Sequence, residues 1–394
     1  MEFSVSSIRK KVNRKTLPQN VVDGLGEDSL GEQIAAKLKY KCNKIRRFPS
    51  RQFVMSVTTN KMHRLLYCPM CKLASTFWTR FFMMLNLQNV TAEIYLTPYD
   101  VPLSLAPPTR ERLINKNGLQ IPNASEMYGF LFVRNPYSRI LSAYVDKLFA
   151  PNPIFWKIGK KIVGPLRNKT VNGQRKDKCG SDVTFSEYVQ AVTKRHLLNG
   201  SIDCHDADYM SYCHVCDVAY KFVGRLESFY TDAFFLFKQL NLNETLKIMR
   251  KEMKLLSDQD AVLDSVSSAY KWRKDIEKCI SWDAALRRVW KKLQIRGIIG
   301  KDKYPLSESE SKQITRDDFI KLVMETQERT PYALRKNQRN QAFVEIFRTV
   351  PLEVLKDFKT AFEHDFYLFE YDPSPKNIFS RIDDIEYFGY LDLK

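Results

Sequence analysis

Two short segments carry residue types whose spacing suits chemistry, YCPMCKLASTFWTR (67–80) and RNPYSRILSAY (134–144). Each reads as a strand running into the start of a helix, with a basic residue and hydroxyls at the junction. A helix start presents backbone N–H groups that lack intrahelical partners, together with the positive end of the macrodipole, and so attracts anions. Two such junctions suit a ligand with phosphate at both ends. In the first, Lys72 lies in the turn ahead of Ala74, Ser75 and Thr76, where an ammonium can neutralise charge building on a leaving phosphate oxygen. No glycines precede it in the GxxxxGK[ST] spacing, which disfavours a P-loop kinase. In the second, Arg134 offers a guanidinium fork at a strand end, and the Ser142 hydroxyl follows two helical turns later. Taken singly, each has a plainer alternative. Lys72 would be a surface lysine before an amphipathic helix, and Arg134 and Arg139 would pair with acids on a solvated helix face.

The elements that must position these residues are legible as a pattern. Residues 53–68 are β-like, 75–87 have helical apolar spacing, 92–97 suit a short strand, and 128–133 (YGFLFV) a stronger one. Pro136 opens a helix to about Phe149. Residues 150–182 read as a basic loop, and Thr184-Phe-Ser-Glu187 has the spacing of a capping box that opens a helix to about Leu197. A strand is expected at 218–224 and helices at 229–240 and 352–362, with a packed aromatic tail at 365–372. Residues 243–345 are charged and helical in pattern, and read as an insertion without a motif. Strands alternating with helices predict an α/β fold with a parallel sheet, ligands lying at the carboxyl ends of its strands. The polar, basic residues 1–50 read as a loose, stem-like arm and residues 51–394 as the folded domain.

With 44% apolar and 12% aromatic residues, the chain has the composition of a folded protein, which excludes the disordered class. The formal charge of +18 favours polyanionic partners: nucleic acid, an anionic membrane, an acidic glycan or a nucleotide. A basic nucleic-acid-binding protein is the reading from another class, but no nucleic-acid module is recognisable. Eight cysteines include two CxxC pairs, Cys68/Cys71 and Cys213/Cys216, too far apart for a zinc ribbon. Disulfides, buried thiols and structural zinc all remain open on spacing alone. Five N-x-[ST] sequons, at Asn89, Asn123, Asn168, Asn199 and Asn243, tilt the compartment toward a secretory lumen. No apolar run approaches the length of a membrane-spanning helix.

The two junctions also carry a family resemblance. RNPYSRILSAY resembles the 3′-phosphate motif R-x-P-x-x-R-x-x-S-A-[YF] of Golgi carbohydrate sulfotransferases. YCPMCKLASTFWTR is similar to that family's 5′-phosphosulfate loop, Y-C-x-x-P-K-V-x-C-T-N-W-K-R. HDADYMSYCHVCDVAYKFVGRLES (205–228) resembles a third block, found in the group acting on chondroitin, dermatan and N-acetylgalactosamine-bearing glycans. Weaker similarity appears in VTFSEYV (183–189) and DFYLFEY (365–371), so the likeness spans about 60–250 and 350–372.

The resemblance implies a P-loop-like three-layer fold and a sulfuryl donor, 3′-phosphoadenosine 5′-phosphosulfate (PAPS). It places Lys72, Leu73, Ala74, Ser75, Thr76, Arg80, Arg134 and Ser142 around that donor, with Lys72 also catalytic. His205, in the third block, is the candidate general base, with Glu126, Glu227 and Asp208 as carboxylate alternatives. His63, before the 5′ loop, reads as structural. A glycan or proteoglycan acceptor is implied, with no metal and no nucleic acid. So is a type II Golgi setting, whose anchor this sequence does not show. The basic stretch Lys157–Lys178 is either a grip on an acidic glycan or a mobile loop. The chain departs from the pattern at Cys71, Ser75, Phe77 and Thr79, and at Asp206 and Lys221, where the family has tryptophan and aspartate. Those last two changes keep open a relative that binds PAPS without transferring sulfate.

Overall fold

Leu65–Tyr67 and Tyr128–Val133 are short, apolar and almost wholly buried, the pattern of strands covered on both faces. They are β2 and β5 of a six-stranded sheet whose other strands are β1 (Met55–Asn60), β3 (Arg110–Asn115), β4 (Gly118–Leu119) and β6 (Tyr220–Arg225). The computed structural model describes residues 30–45, 55–87, 95, 97–102, 110–115, 118–119, 126–167, 179–198, 200, 203–382 and 384–393. Of the expected strand at 92–97 only residues 95 and 97 are described, and neither belongs to a strand.

The sheet order is β4-β3-β1-β2-β5-β6. β2 pairs with β5 and β5 with β6 in parallel, the partners including Tyr67↔Phe130 and Val133↔Arg225. The remaining pairs are antiparallel, so the expected parallel sheet is a parallel trio extended by an antiparallel flank. The cause is the connection between β1 and β2. Only residues 61–64 join Asn60 to its partner Leu65, far too few for the crossover that parallel strands need. Residues 55–67 are accordingly a hairpin, its turn closed by Asn60 Oδ1 accepting the His63 N–H at 2.8 Å.

The described residues divide into two compact units, 1–134 with 208–257, and 135–207 with 258–394. In the first, Ser75–Leu87 (α2) buries Phe77, Trp78, Phe81 and Phe82. The Trp78 ring lies 5.1 Å from Phe130 and 4.8 Å from Phe132 on β5, and Phe81 lies 5.0 Å from Phe237 on α7 (Phe229–Gln239). Gly224 on β6 permits this packing, since a β-carbon there would meet the Phe132 ring at 2.4 Å.

Residues 1–50 are not uniformly a loose arm. Leu30–Cys42 form a helix, α1, that buries Ile34, Ala35 and Leu38 and packs on β6. Gly31 brings it against Phe222, whose ring a β-carbon would meet at 2.2 Å. A Cys42–Cys216 disulfide fastens its far end, and Cys68–Cys213 fastens the residue after β2 to α6 (Tyr209–Cys213). Each CxxC pair thus sends its cysteines to different places, and no cysteine is free.

The second unit is helical. Pro136–Tyr144 (α3) runs into a π turn at Val145–Phe149, followed by α4 (Pro153–Val163) and α5 (Phe185–Leu197). α4 corrects the reading of 150–182 as loop: Asn152 caps it by accepting the Phe155 N–H, and Pro153 takes the first helical position. The capping box of Thr184 and Glu187 is present at the start of α5. The second unit also holds α8 (Asn243–Lys271) from Asp258 onward, α9 (Trp282–Ile295), α10 (Arg316–Arg329) and α11 (Tyr332–Arg348). Two further helices follow, α12 (Leu352–Ala361) and α13 (Glu363–Phe369), the latter where an aromatic tail was expected. Tyr137 and Tyr144 pack with Phe185, Phe347, Phe358 and Phe366 in one core cluster, and Trp156, Trp282, Trp290 and Phe319 anchor a second. A Cys179–Cys279 disulfide links α4's trailing segment to the segment before α9.

Gly31→Ala forces a methyl into the Phe222 ring and is expected to cost about 1–3 kcal/mol. Urea unfolding followed by tryptophan fluorescence reads it, and an unchanged midpoint would mean that α1 does not lean on the sheet there.

Candidate active site

The first junction is a loop of backbone held from both sides. β2 delivers the chain to Cys68, whose disulfide ties it to α6, and the Met70 N–H then donates to Cys68 O at 3.0 Å. Lys72 and Ala74 have φ of +66° and +56°, the left-handed region that L residues rarely adopt. Left-handed residues in a turn make successive N–H groups converge into an anion-binding nest. The α2 ladder opens with the Trp78 N–H donating to Ala74 O, so the amides of Ser75, Thr76 and Phe77 lie in the first turn at the positive end of the dipole. Leu73 is buried and pins the loop, Ser75 is half-buried and Thr76 exposed. Arg80, one turn further along the same face as Thr76, is buried in the body of the helix.

Arg134 follows β5 at the same edge of the sheet, because parallel neighbours present their carboxyl ends together. Its backbone is clamped. The Arg134 N–H donates to the Tyr209 hydroxyl oxygen at 2.8 Å, and the Tyr209 hydroxyl lies 3.3 Å from Arg134 O. Tyr209 itself is fully buried. The end of β6 is fixed by Asp232, which accepts the Arg225 N–H at 2.7 Å and the Ser228 hydroxyl at 2.8 Å. Burial pushes the Asp232 carboxyl above its ordinary value despite those two hydrogen bonds.

In the second unit, Asn135 caps α3 by accepting the Tyr137 N–H at 2.9 Å, and Ser142 is half-buried two turns along. Arg139 is not on a solvated face. It is 2% exposed, donates to the carbonyls of His205 (3.4 Å) and Ala207, and lies 4.0 Å from Asp365. The His205 backbone N–H donates to Asp203 Oδ1 at 2.7 Å, the ring Nδ1 lies 3.1 Å from the same oxygen, and Phe155 packs edge-on at 5.2 Å. Burial pushes the Asp203 carboxyl up, but the hydrogen bonds and charge of His205, with Arg195, outweigh it and hold the carboxyl below its ordinary value. Asp206, where the family pattern has tryptophan, is buried and closes this turn. It pairs with Arg195 and accepts the Asp203 N–H at 2.9 Å, while its carbonyl lies 2.7 Å from His196 Nε2.

The structure therefore groups Lys72, Leu73, Ala74, Ser75, Thr76, Arg80 and Arg134 in the first unit, and Ser142 and His205 in the second. The alternatives to His205 have other occupations. Glu126 is paired with exposed Arg64 at 2.8 Å, Asp208 caps α6 by accepting the Ser211 N–H at 2.7 Å, and Glu227 is exposed in the turn after β6. His63 is structural, its Nδ1 3.0 Å from Asn60 Oδ1. Of the basic stretch, residues 168–178 lie outside the described residues, while Arg167 is tied to Asp182 and Glu187. Of the sequons, only Asn243 falls on described residues, exposed at the start of α8. Sequence reasoning missed Asp203, Tyr209 and the inward role of Arg139.

Residues 55–293 match the model of the sulfotransferase family, and the chain belongs to that family. Its curated relatives are carbohydrate sulfotransferases. Mouse (Mus musculus) carbohydrate sulfotransferase 8 is 30% identical over 215 residues, 54% of this chain and 50% of that one. Rat (Rattus norvegicus) carbohydrate sulfotransferase 11 is 31% identical over 193 residues, 47% of this chain and 53% of the other. Zebrafish (Danio rerio) carbohydrate sulfotransferase 14 is 27% identical over 213 residues, 51% and 53% of the two chains. The matches thus cover about half the length of these relatives. No solved structure matches.

Asp232→Asn keeps an acceptor oxygen and removes a buried charge. A carboxyl raised by folding favours the native state below its unfolded value and loses that contribution as pH rises through the folded one. The variant should therefore gain stability over wild type at pH 7 and lose the advantage near pH 3. Thermal melts at the two pH values check this, and a variant less stable at pH 7 would show that the carboxylate's hydrogen bonds outweigh its burial.

Proposed function

We propose that this chain is a PAPS-dependent carbohydrate sulfotransferase acting on a glycan of the chondroitin, dermatan or N-acetylgalactosamine-bearing type. The reaction moves the sulfuryl group from PAPS to an acceptor hydroxyl in line with the departing phosphate, and PAP (3′-phosphoadenosine 5′-phosphate) leaves. The observation that carries this reading is the pair of anion-seeking junctions on adjacent parallel strands: the left-handed Lys72–Ala74 loop with the α2 N-terminus, and Arg134 at the end of β5. A nest of amides, a lysine and an arginine fork form the donor set that two separated phosphates require.

In this reading the amides of Leu73, Ala74, Ser75 and Thr76 and the Thr76 hydroxyl hold the 5′ end, with Arg80 reinforcing the helix start. Lys72 neutralises the charge that grows on the leaving oxygen, which needs no metal. Arg134 and Ser142 take the 3′-phosphate. His205 accepts the acceptor's proton. Asp203 beside Nδ1 favours the tautomer with its proton there, leaving Nε2 as the base. The Golgi lumen is the compartment we assign. Disulfides support an oxidising lumen, and the family resemblance supports the Golgi. No described helix is long and apolar enough to cross a membrane.

Calorimetric titration of PAP is the direct test. Wild type should bind saturably at moderate salt, and Arg134→Ala should lose about 1.5–3 kcal/mol, the worth of a hydrogen bond to a charged group. A folded wild type that ignores PAP would overturn the proposal and return the chain to the basic nucleic-acid reading.

His205→Ala should keep PAP affinity while sulfate transfer from labelled PAPS falls roughly 10²–10⁴-fold, the span of a lost general base. Full transfer by that variant would remove His205 from the mechanism. Lys72→Ala should bind PAP more weakly and transfer roughly 10²–10³-fold more slowly. A wild type that binds PAP but sulfates no glycan acceptor would favour the silent relative.

A further inference from the structure

The parallel ladder between β5 and β6 runs as far as Val133, which pairs with Arg225, and half-buried Arg134 is the first residue beyond it. Its N–H and C=O therefore leave the ladder just where a guanidinium has to be held in one direction, and they need partners from elsewhere. One hydroxyl serves both. Tyr209 accepts the Arg134 N–H at 2.8 Å and donates to the Arg134 carbonyl oxygen at 3.3 Å. A phenol can do this because it has one donor and spare lone pairs. Tyr209 is fully buried, so its ring cannot swing the hydroxyl away.

The tyrosine is in turn held by α6, which is fastened at both ends. Asp208 caps the first turn by accepting the Ser211 N–H at 2.7 Å. At the other end, Cys213 is bonded to Cys68 with 5.8 Å between their α-carbons, and its carbonyl accepts the Tyr220 hydroxyl at 2.8 Å. A single short helix thus reaches all three parallel strands: β5 through Arg134, the chain just past β2 through Cys68, and β6 through Tyr220. Cys68 opens the loop that carries Lys72. The element that clamps the second junction is therefore covalently tied to the approach to the first.

We propose that Tyr209 is a positioning residue that makes the protein select nucleotides bearing both phosphates over those bearing the 5′ group alone, an inference that rests on the PAP-binding reading above. Tyr209 acts through the backbone of Arg134 and not on the ligand. Holding that backbone against α6 fixes the origin of the guanidinium relative to the Lys72 loop before a nucleotide arrives. The 3′-phosphate contact then forms with little ordering cost. Without the hydroxyl the arginine still reaches the phosphate, but has to give up freedom to do so. A nucleotide that lacks the 3′-phosphate does not use Arg134 and is indifferent to Tyr209.

The test is calorimetric titration of PAP, and of adenosine 5′-phosphate, into wild type, Tyr209→Phe, Arg134→Ala and the double variant. Wild type should prefer PAP. Tyr209→Phe should bind PAP roughly 10-fold more weakly, as expected for a lost hydrogen bond, and bind adenosine 5′-phosphate as wild type does. In the Arg134→Ala background the same change should cost no further PAP affinity, because two residues acting through one contact are not additive. If Tyr209→Phe does not fold, Asp208→Ala carries the test: it loosens the turn that aims the tyrosine and should lower the preference for PAP. Asp208→Asn, which keeps the cap, should restore that preference. Equal losses for both nucleotides would overturn the proposal and leave Tyr209 a support of the first unit alone. So would an unchanged PAP affinity, or a full additional loss in the Arg134→Ala background. A wild type that binds both nucleotides equally keeps the nucleotide site and removes the selectivity, whereas one that binds neither removes the site and this inference with it.

Discussion

The parallel pairing of β2 with β5 is the constraint on which the first unit of this protein depends. It sets Tyr67 beside Phe130 and so fixes where each strand ends. Because side chains alternate along a strand and both faces are packed, a slip of one residue would replace the Phe130 and Phe132 rings that meet Trp78 with the side chains of the opposite face. Burial thus enforces the register, and the register places the Lys72 loop and Arg134 at one edge. The rest of the first unit secures that edge. Aromatic rings hold α2 to β5, Cys68–Cys213 holds the loop's first residue, and Tyr209 holds the backbone of Arg134.

The second unit follows a different physical logic. Its candidate base lies on a short turn, residues 203–207. Order there comes from buried ion pairs and carbonyl contacts: Arg139 on the carbonyls of 205 and 207, Arg195 on Asp206, and Asp203 on the imidazole. Such groups are costly to bury unless fully partnered, and where they are partnered they specify one conformation. Asp206 is thus the centre of a charge-paired turn.

How much of this was legible in the sequence varies with the range of the interaction. Helices at 75–87 and 185–197 and the strand at 128–133 were readable because period, capping box and apolar runs are local signals. The helix at Leu30–Cys42 was not, because its amphipathicity is weak and its stability comes from Phe222 and Cys216, far away in the chain. The helix at Pro153–Val163 was masked by its lysines, although Asn152-Pro153 is a sound start signal. Lys72 and Arg134 stood out as candidates because their motifs are contiguous. Asp203 and Tyr209 were not, because a clamp on a backbone atom leaves no spacing to recognise.

The order in which the chain is made gives the disulfides a further meaning. Cys42 and Cys68 wait for Cys216 and Cys213, 174 and 145 residues later, and the first unit resumes only at Asp208. No N-terminal portion that stops short of Asp208 can therefore close the first unit while synthesis proceeds. Until more than half of the chain has been made, Cys42 and Cys68 have no native partner to meet. The architecture that fixes the Lys72 loop in the finished protein thus leaves thiol–disulfide exchange as the route by which any earlier pairing of those two cysteines is corrected.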